Sequence, residues 1–229
     1  MIGKTGKLVI IGTGEFGQIA YEYFTYDSCY EVAGFAVEKK YKDLDKLYEK
    51  PVIEFEKLYD VYSPKEYDVF VAITYPELNR VRTRVFEAVK AMGYRCASYV
   101  SSHSFVWHNV EIGENTFIFE DNTVQFRARI GNNVILWSGN HIGHGTIIED
   151  HCWITSHDVI SGFCHIGKSC FIGVNVSVGD RVTIAEDVVL GAGSVTVKDL
   201  PEKGRVYIGA PARPVSKTSY EQFNVKGEF

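Results

Sequence analysis

Every sixth residue from Val100 to Leu190 is Ile, Leu or Val, and this period limits the possible folds more than any other feature of the chain. The series passes through Val106, Ile112, Ile118, Val124, Ile130, Leu136, Ile142, Ile148, Ile154, Ile160, Ile166, Ile172, Val178 and Ile184, sixteen consecutive positions in all. Chance would supply such a run about once in 10⁹ trials, so a hexapeptide repeat is present. The apolar series breaks at Thr196. A second period of 18 lies over the first: IGENTFI from Ile112, IGNNVIL from Ile130, IEDHCWI from Ile148, IGKSCFI from Ile166 and IAEDVVL from Ile184 align without a gap. Three hexapeptides therefore make one turn. A β-helix of three short strands per coil satisfies both periods, because each coil stacks on the last at about 4.8 Å and points one branched residue per strand inward. Five coils then stand roughly 25 Å tall.

Two positions before many of the apolar residues the side chain is small or slim, as at Thr116, Ala128, Thr146, Cys152, Cys164 and Cys170, which suits a crowded corner. Three of the five cysteines thus have a packing role, and with no C-x-x-C pair and an odd count the cysteines read as reduced. Asn122, Asn140 and Asp158 recur at a step of 18, which predicts a stacked polar ladder. An Asp at its end needs a donor or a raised pKa.

The first hundred residues follow another pattern. Lys7–Gly12 is a compact strand running into Gly12-Thr13-Gly14-Glu15-Phe16-Gly17, and Gln18–Tyr26 reads as a helix. In this strand, G-x-G-x-x-G, helix arrangement the glycines permit a tight turn and close approach of a phosphate, and the helix start offers unpaired N–H groups. A second strand, Glu31–Val37, ends at Glu38, where a carboxylate can accept from ribose hydroxyls. Further alternation follows: a helix at Phe55–Tyr62, a buried strand at Tyr67–Ile73, a helix at Glu77–Met92 with Val81, Val85 and Val89 on one stripe, and extended chain at Arg95–Val100. The expectation is a small Rossmann-like parallel α/β domain of four or five strands over residues 1–99, an all-β parallel β-helix over 100–215 and a C-terminal tail over 216–229. The glycine loop could serve chain geometry alone, a redox dinucleotide or another nucleotide-bearing ligand. So short a domain lacks the second mononucleotide half of a dinucleotide fold, which favours the last.

Composition narrows the partners. Twenty-four Lys plus Arg against 29 Asp plus Glu give a net charge of −5, which offers no basic excess for nucleic acid. No apolar run approaches the roughly 18 residues of a membrane span, and the opening MIGKTGKLVIIGTGEFG breaks into glycines too early for a secretory core, so a cytoplasmic protein is expected.

With both halves in view the chain resembles the NeuD/PglD-like sugar acyltransferases over essentially its whole length. The features that carry this are the opening glycine loop, Ala72-Ile73 followed by Asn79-x-x-Arg82, the hexapeptide array, and the closing Gly191-Ala192-Gly193-Ser194 and Gly209-Ala210-Pro211-Ala212-Arg213. The resemblance implies a left-handed β-helix, a homotrimer with acetyl-CoA between neighbouring β-helices, and a nucleotide-linked amino sugar held by the N-terminal domain through Gly12, Gly14, Glu38, Asn79 and Arg82. It implies that His144 is the general base, with His157 as the next candidate for base or substrate contact. Val174 and Ala192 would lie along the pantetheine arm and Lys198 at a CoA phosphate. Family members usually place Glu or Asp, sometimes another His, directly after the base; this chain has Gly145, which leaves control of the tautomer to a backbone carbonyl or to a residue of the adjacent subunit.

Five histidines, at 141, 144, 151, 157 and 165, crowd the middle of the array and raise a metal reading. Metal-dependent β-helix enzymes resembling γ-class carbonic anhydrases use one His, another two coils later and a third five residues beyond. His108 and His144 are 36 apart, but the third position is Glu149, so the ligand set fails and no metal is expected. The expected function is an acetyl-CoA-dependent N-acetyltransferase acting on a nucleotide-linked amino sugar by direct transfer. Sugar O-acetylation and a catalytically silent sugar-nucleotide binding protein are the alternatives.

Overall fold

The computed structural model describes residues 3–226, which divide into two compact units, 3–74 with 82–99 and 75–81 with 100–226. Among the described residues no helix is long and apolar enough to cross a membrane.

The first unit is built on a five-stranded sheet. Strand β1 (Gly6–Ile11) leads through the glycine loop to helix α1 (Glu15–Tyr26), and β2 (Tyr30–Val37) returns parallel to β1. A short hairpin, β3 (Lys46–Leu47) and β4 (Lys50–Glu54), extends the sheet through β2–β4 pairing and turns at Tyr48 and Glu49, both left-handed (φ 48° and 58°). Sequence patterning does not reveal this hairpin, because its strands are too short for a period of two to register. Helix α2 (Leu58–Val61), preceded by a 3₁₀ turn at Phe55–Lys57, then delivers β5 (Asp68–Val71) to the other side of β1, giving the order β3-β4-β2-β1-β5. Helix α3 (Arg80–Ala91) buries Val85, Phe86 and Val89, and Val69 bridges Cys96.

The helix expected from Glu77 starts three residues late. Glu77, Leu78 and Asn79 all have positive φ (52°, 49° and 66°), which an α-helix excludes. The detour serves the second unit: Leu78 is fully buried with Val189 and Val206, and the Tyr75 ring meets Trp153, Phe171 and Phe223 edge to face. Arg80 pairs with the buried Asp187 at 2.6 Å, and the Tyr220 hydroxyl donates to the other Asp187 oxygen at 2.9 Å. Residues 219–225 also pack here, through Tyr220, Phe223 and Val225.

The second unit is the parallel β-helix. Each two-residue strand ends on a member of the six-residue series and pairs with the strand 18 residues later, as in Thr123↔His141, Arg129↔Ile147 and Ile135↔Trp153. Three sheets result. The first holds Phe117–Ile118, Ile135–Leu136 and their successors, the second Thr123–Val124 and His141–Ile142, the third Arg129–Ile130 and Ile147–Ile148. From Ile118 to Leu190 the inward residues are at most 3% exposed, and each contributes about 1.5–3 kcal/mol by its burial. Pairing continues one strand past the apolar series to Val195–Thr196, because the buried Thr196 hydroxyl is satisfied by the Lys198 carbonyl at 2.8 Å. An antiparallel pair, Arg205–Ile208 and Arg213–Thr218, closes the end.

All three corners use left-handed residues at a fixed place in the coil. Asn115, Asn133, His151, Ser169 and Asp187 form one column, Asp121, Gly139, His157, Asn175 and Gly193 the second, and Arg127, Gly145, Phe163 and Arg181 the third. The small corner residues seal the carbonyls of the next coil: Thr146 Oγ1 donates to Ser161, Cys152 Sγ to Gly167 and Cys164 Sγ to Gly179. The polar ladder is also present. Asn122 donates to the carbonyls of Phe119 and Trp137, Asn140 Oδ1 accepts from Asp158 N, and Asp158 Oδ1 accepts from Val176 N.

Candidate active site

His144 sits on the corner between the second and third sheets and is exposed. Its ring lies against Gly162, where a Cβ would come within 2.7 Å of Cε1 and 2.9 Å of Nε2. The Phe163 ring meets the imidazole edge to face, with centroids 4.8 Å apart. Gly145 is explained by the same ring: its φ is +65°, and a Cβ there would fall 2.7 Å from Phe163 Cδ1. In place of a following acid, the coil below offers Gln125. Its Oε1 accepts from the His144 backbone N–H at 3.1 Å and lies 3.4 Å from Nδ1. The sequence holds no direct sign of Gln125, since it is 19 residues away and only the coil register brings it alongside.

A shallow cleft of about 420 Å³ adjoins this corner, lined by Gly145, Phe163, Arg127, Arg129, Asn109, Glu111 and Ile147. A second depression of about 430 Å³ on the same face contains none of the candidate residues. His165 faces Glu149 at 2.7 Å there, and among the described residues no three His, Cys, Asp or Glu side chains gather as a metal site.

His157, Val174 and Ala192 occupy a different corner, between the first and second sheets. His157 packs on Gly139, where a Cβ would meet its Nδ1 at 2.4 Å. Val174 and Ala192 are exposed one coil apart, and the Val174 carbonyl is taken by Gly193 N at 2.8 Å. Lys198 is exposed and stands in the column of His144, three coils on. Within one chain the prism thus holds the candidate base and the candidate pantetheine residues on two separate corners.

In the first unit Gly12, Gly14 and Glu38 lie at the carboxyl ends of neighbouring strands β1 and β2, with Gly12 N donating to Ala36 O at 2.8 Å. The chain visits β2 and β4 on one side of β1 and β5 on the other, so the glycine loop stands at the topological switch point, where open α/β sheets bind ligands. Gly12 (φ +125°) is forced, since a Cβ would strike Ala72 O at 2.6 Å; a Cβ at Gly17 would fall 2.3 Å from Gly12 O. Gly14 faces open space and caps α1 without a side-chain bond. Glu38 Oε2 is held by Arg84 at 3.0 Å, a partner the sequence reading did not single out. Arg82 is fully buried in the first unit; Asn79, also fully buried, belongs to the second unit, where its Nδ2 donates to Ser169 O at 3.4 Å.

A glycine-loop α/β unit followed by a hexapeptide β-helix is the architecture of this chain, and the family models that match it do so in the same order. Residues 7–89 match the family model of the PglD N-terminal domain, and residues 163–198 that of the bacterial transferase hexapeptide (six repeats). The resemblance to NeuD/PglD-like acyltransferases, with its left-handed parallel β-helix, is borne out. Among solved structures the chain is similar to PerB from Caulobacter crescentus in complex with CoA and GDP-perosamine, at 25% identity and a TM-score of 0.81, over 92% of this chain and 98% of that one. A histidine-to-asparagine variant of perosamine N-acetyltransferase from the same organism matches at 24% identity and TM-score 0.81, over 93% of this chain and 98% of that one. The acetyltransferase domain of PglB from Neisseria gonorrhoeae matches at 23% and 0.62, over 92% of this chain and all of that one.

Proposed function

We propose that the protein is an acetyl-CoA-dependent acetyltransferase that acetylates an amino group of a nucleotide-linked amino sugar, with His144 as general base. The observation that carries this reading is the exposed, corner-mounted His144, whose ring is pinned between Gly162 and Phe163. A relative of the same fold is solved with CoA and GDP-perosamine together, which supports a ternary complex.

The chemistry is compact. The amine nitrogen attacks the thioester carbonyl, a C–N bond forms, and His144 takes the amine proton; the tetrahedral oxyanion collapses, the C–S bond breaks and the CoA thiolate leaves, receiving a proton. No enzyme nucleophile is required. The glycine loop at the switch point is assigned the substrate's nucleotide, and the exposed Val174 and Ala192 main chain the pantetheine amides, with Lys198 at a CoA phosphate. Because His144 and Ala192 stand on different corners, one site draws on two copies, and the working form is a homotrimer. The setting is a soluble, cytoplasmic step that supplies N-acetylated sugar nucleotides.

Thiol release from acetyl-CoA with UDP-, dTDP- and GDP-linked amino sugars tests the activity, and mass spectrometry of the product separates N- from O-acetylation. Replacing His144 by Asn should lower kcat by about 10² to 10⁴ while the KM for acetyl-CoA stays near wild type. Retention of more than about a third of kcat would falsify the base assignment.

A further inference from the structure

Resting on the assignment of His144 as base, we propose that Gln125 is its positioning residue, replacing from the preceding coil the acid that other members carry next to the base. The bond pattern fixes the assignment. The His144 backbone N–H can only donate, so the Gln125 amide atom facing it at 3.1 Å is the oxygen. That same oxygen, 3.4 Å from Nδ1, can only accept, so Nδ1 carries the proton and the lone pair resides on Nε2. One amide thereby sets both ring orientation and tautomer. The separation is long for a hydrogen bond, as catalytic contacts are before substrate closes on them.

A side chain at position 145 would meet the Phe163 ring. A Cβ there falls 2.7 Å from Cδ1 and 2.8 Å from Cε1, so the ring that packs on His144 also takes the place of the usual partner. Gln125 lies under His144 because Gln125 N is bonded to Ile142 O at 3.0 Å in the coil register. The substitution of an amide for a carboxylate has a chemical consequence. A carboxylate at Nδ1 orients the ring and also adds a negative charge that favours the imidazolium; a neutral amide oxygen orients the ring without adding that charge.

The test compares Gln125→Leu, Gln125→Glu and His144→Asn in the full-length enzyme, by pH profiles of kcat and kcat/KM with acetyl-CoA and the best sugar nucleotide. Gln125→Leu should lower kcat about 10- to 100-fold with the KM for acetyl-CoA unchanged within about twofold. Gln125→Glu should keep most of the rate but move the acid limb of kcat/KM up by about one pH unit. If Gln125→Leu keeps wild-type kcat and an identical pH profile while His144→Asn is inactive, Gln125 has no positioning role and the base assignment survives. A rise in KM alone would make Gln125 a substrate contact and overturn the proposal. If His144→Asn is itself active, both ideas fall together. Should Gln125→Leu fail to fold, the Gln125→Glu profile decides: an unmoved acid limb overturns the proposal.

Discussion

Asp158 ends the column of buried amides, with one carboxylate oxygen bonded to Val176 N at 2.7 Å and the other without a partner among the described residues. Burial pushes its pKa up to about 8, against the lowering effect of the Val176 N–H. The unfolded chain holds the same group at about 3.9. Between those values the folded state carries a proton that the unfolded state has released, so the contribution of this group to stability is fullest below about pH 4 and is lost as pH rises to about 8, with a limiting slope near 1.4 kcal/mol per pH unit. Asp158→Asn keeps the oxygen that accepts from Val176 and removes the titration. Thermal melts from pH 5 to pH 9 should therefore show a shallower decline for the variant and a higher Tm at pH 8 and above. Parallel curves for the two proteins would mean that Asp158 does not titrate in this range.

At the scale of elements, the glycine loop divides its labour. At Gly12 and Gly17 a Cβ would fall 2.6 Å from Ala72 O and 2.3 Å from Gly12 O, whereas a Cβ at Gly14 meets nothing and the backbone angles there are ordinary (φ −67°, ψ −175°). Gly12→Ala and Gly17→Ala should destabilise the first unit. Gly14→Val should leave the fold intact and fill the approach to the start of α1. The expected kinetic result is a rise of tenfold or more in KM for the sugar nucleotide, with the KM for acetyl-CoA nearly unchanged. An equal rise in both would remove the loop from substrate binding, and tight NAD binding by the wild type would reassign it.

The whole molecule poses a question of assembly. The prism presents three flat faces, and the His144 corner and the Ala192 corner are separated by a full strand of the coil. Light scattering should give three times the 25.8 kDa chain mass, and a monomeric mass at working concentration would end the shared-site scheme. A sharper check uses two inactive variants, His144→Asn and Ala192→Trp. Mixed and reassembled, they should recover partial activity, because some interfaces then join an intact base to an intact acetyl-CoA site. No recovery in verified mixed trimers would place both corners' functions within one chain.

Several features were legible before any coordinates. The sixteen-member series and the 18-residue period over it determined the coil, its three strands and its register, because three hexapeptides per turn set each inward side chain over its counterpart 18 residues on. The strand, glycine loop and helix were equally plain, since backbone geometry there demands particular residues, and the Asn122-Asn140-Asp158 ladder followed from a step of 18. Only the tertiary structure decided what long-range register brings together. Gln125 reaches His144 across 19 residues, Phe163 empties position 145, Arg84 meets Glu38 across 46, and Leu78 with Asn79 and Arg80 leaves the helix pattern for contacts near Ser169 and Asp187. Periodicity specifies the register and which side chains point inward; it does not set the rotamers of the outward ones, so a contact off the 18-residue column, such as Gln125 with His144, is settled only by the tertiary structure.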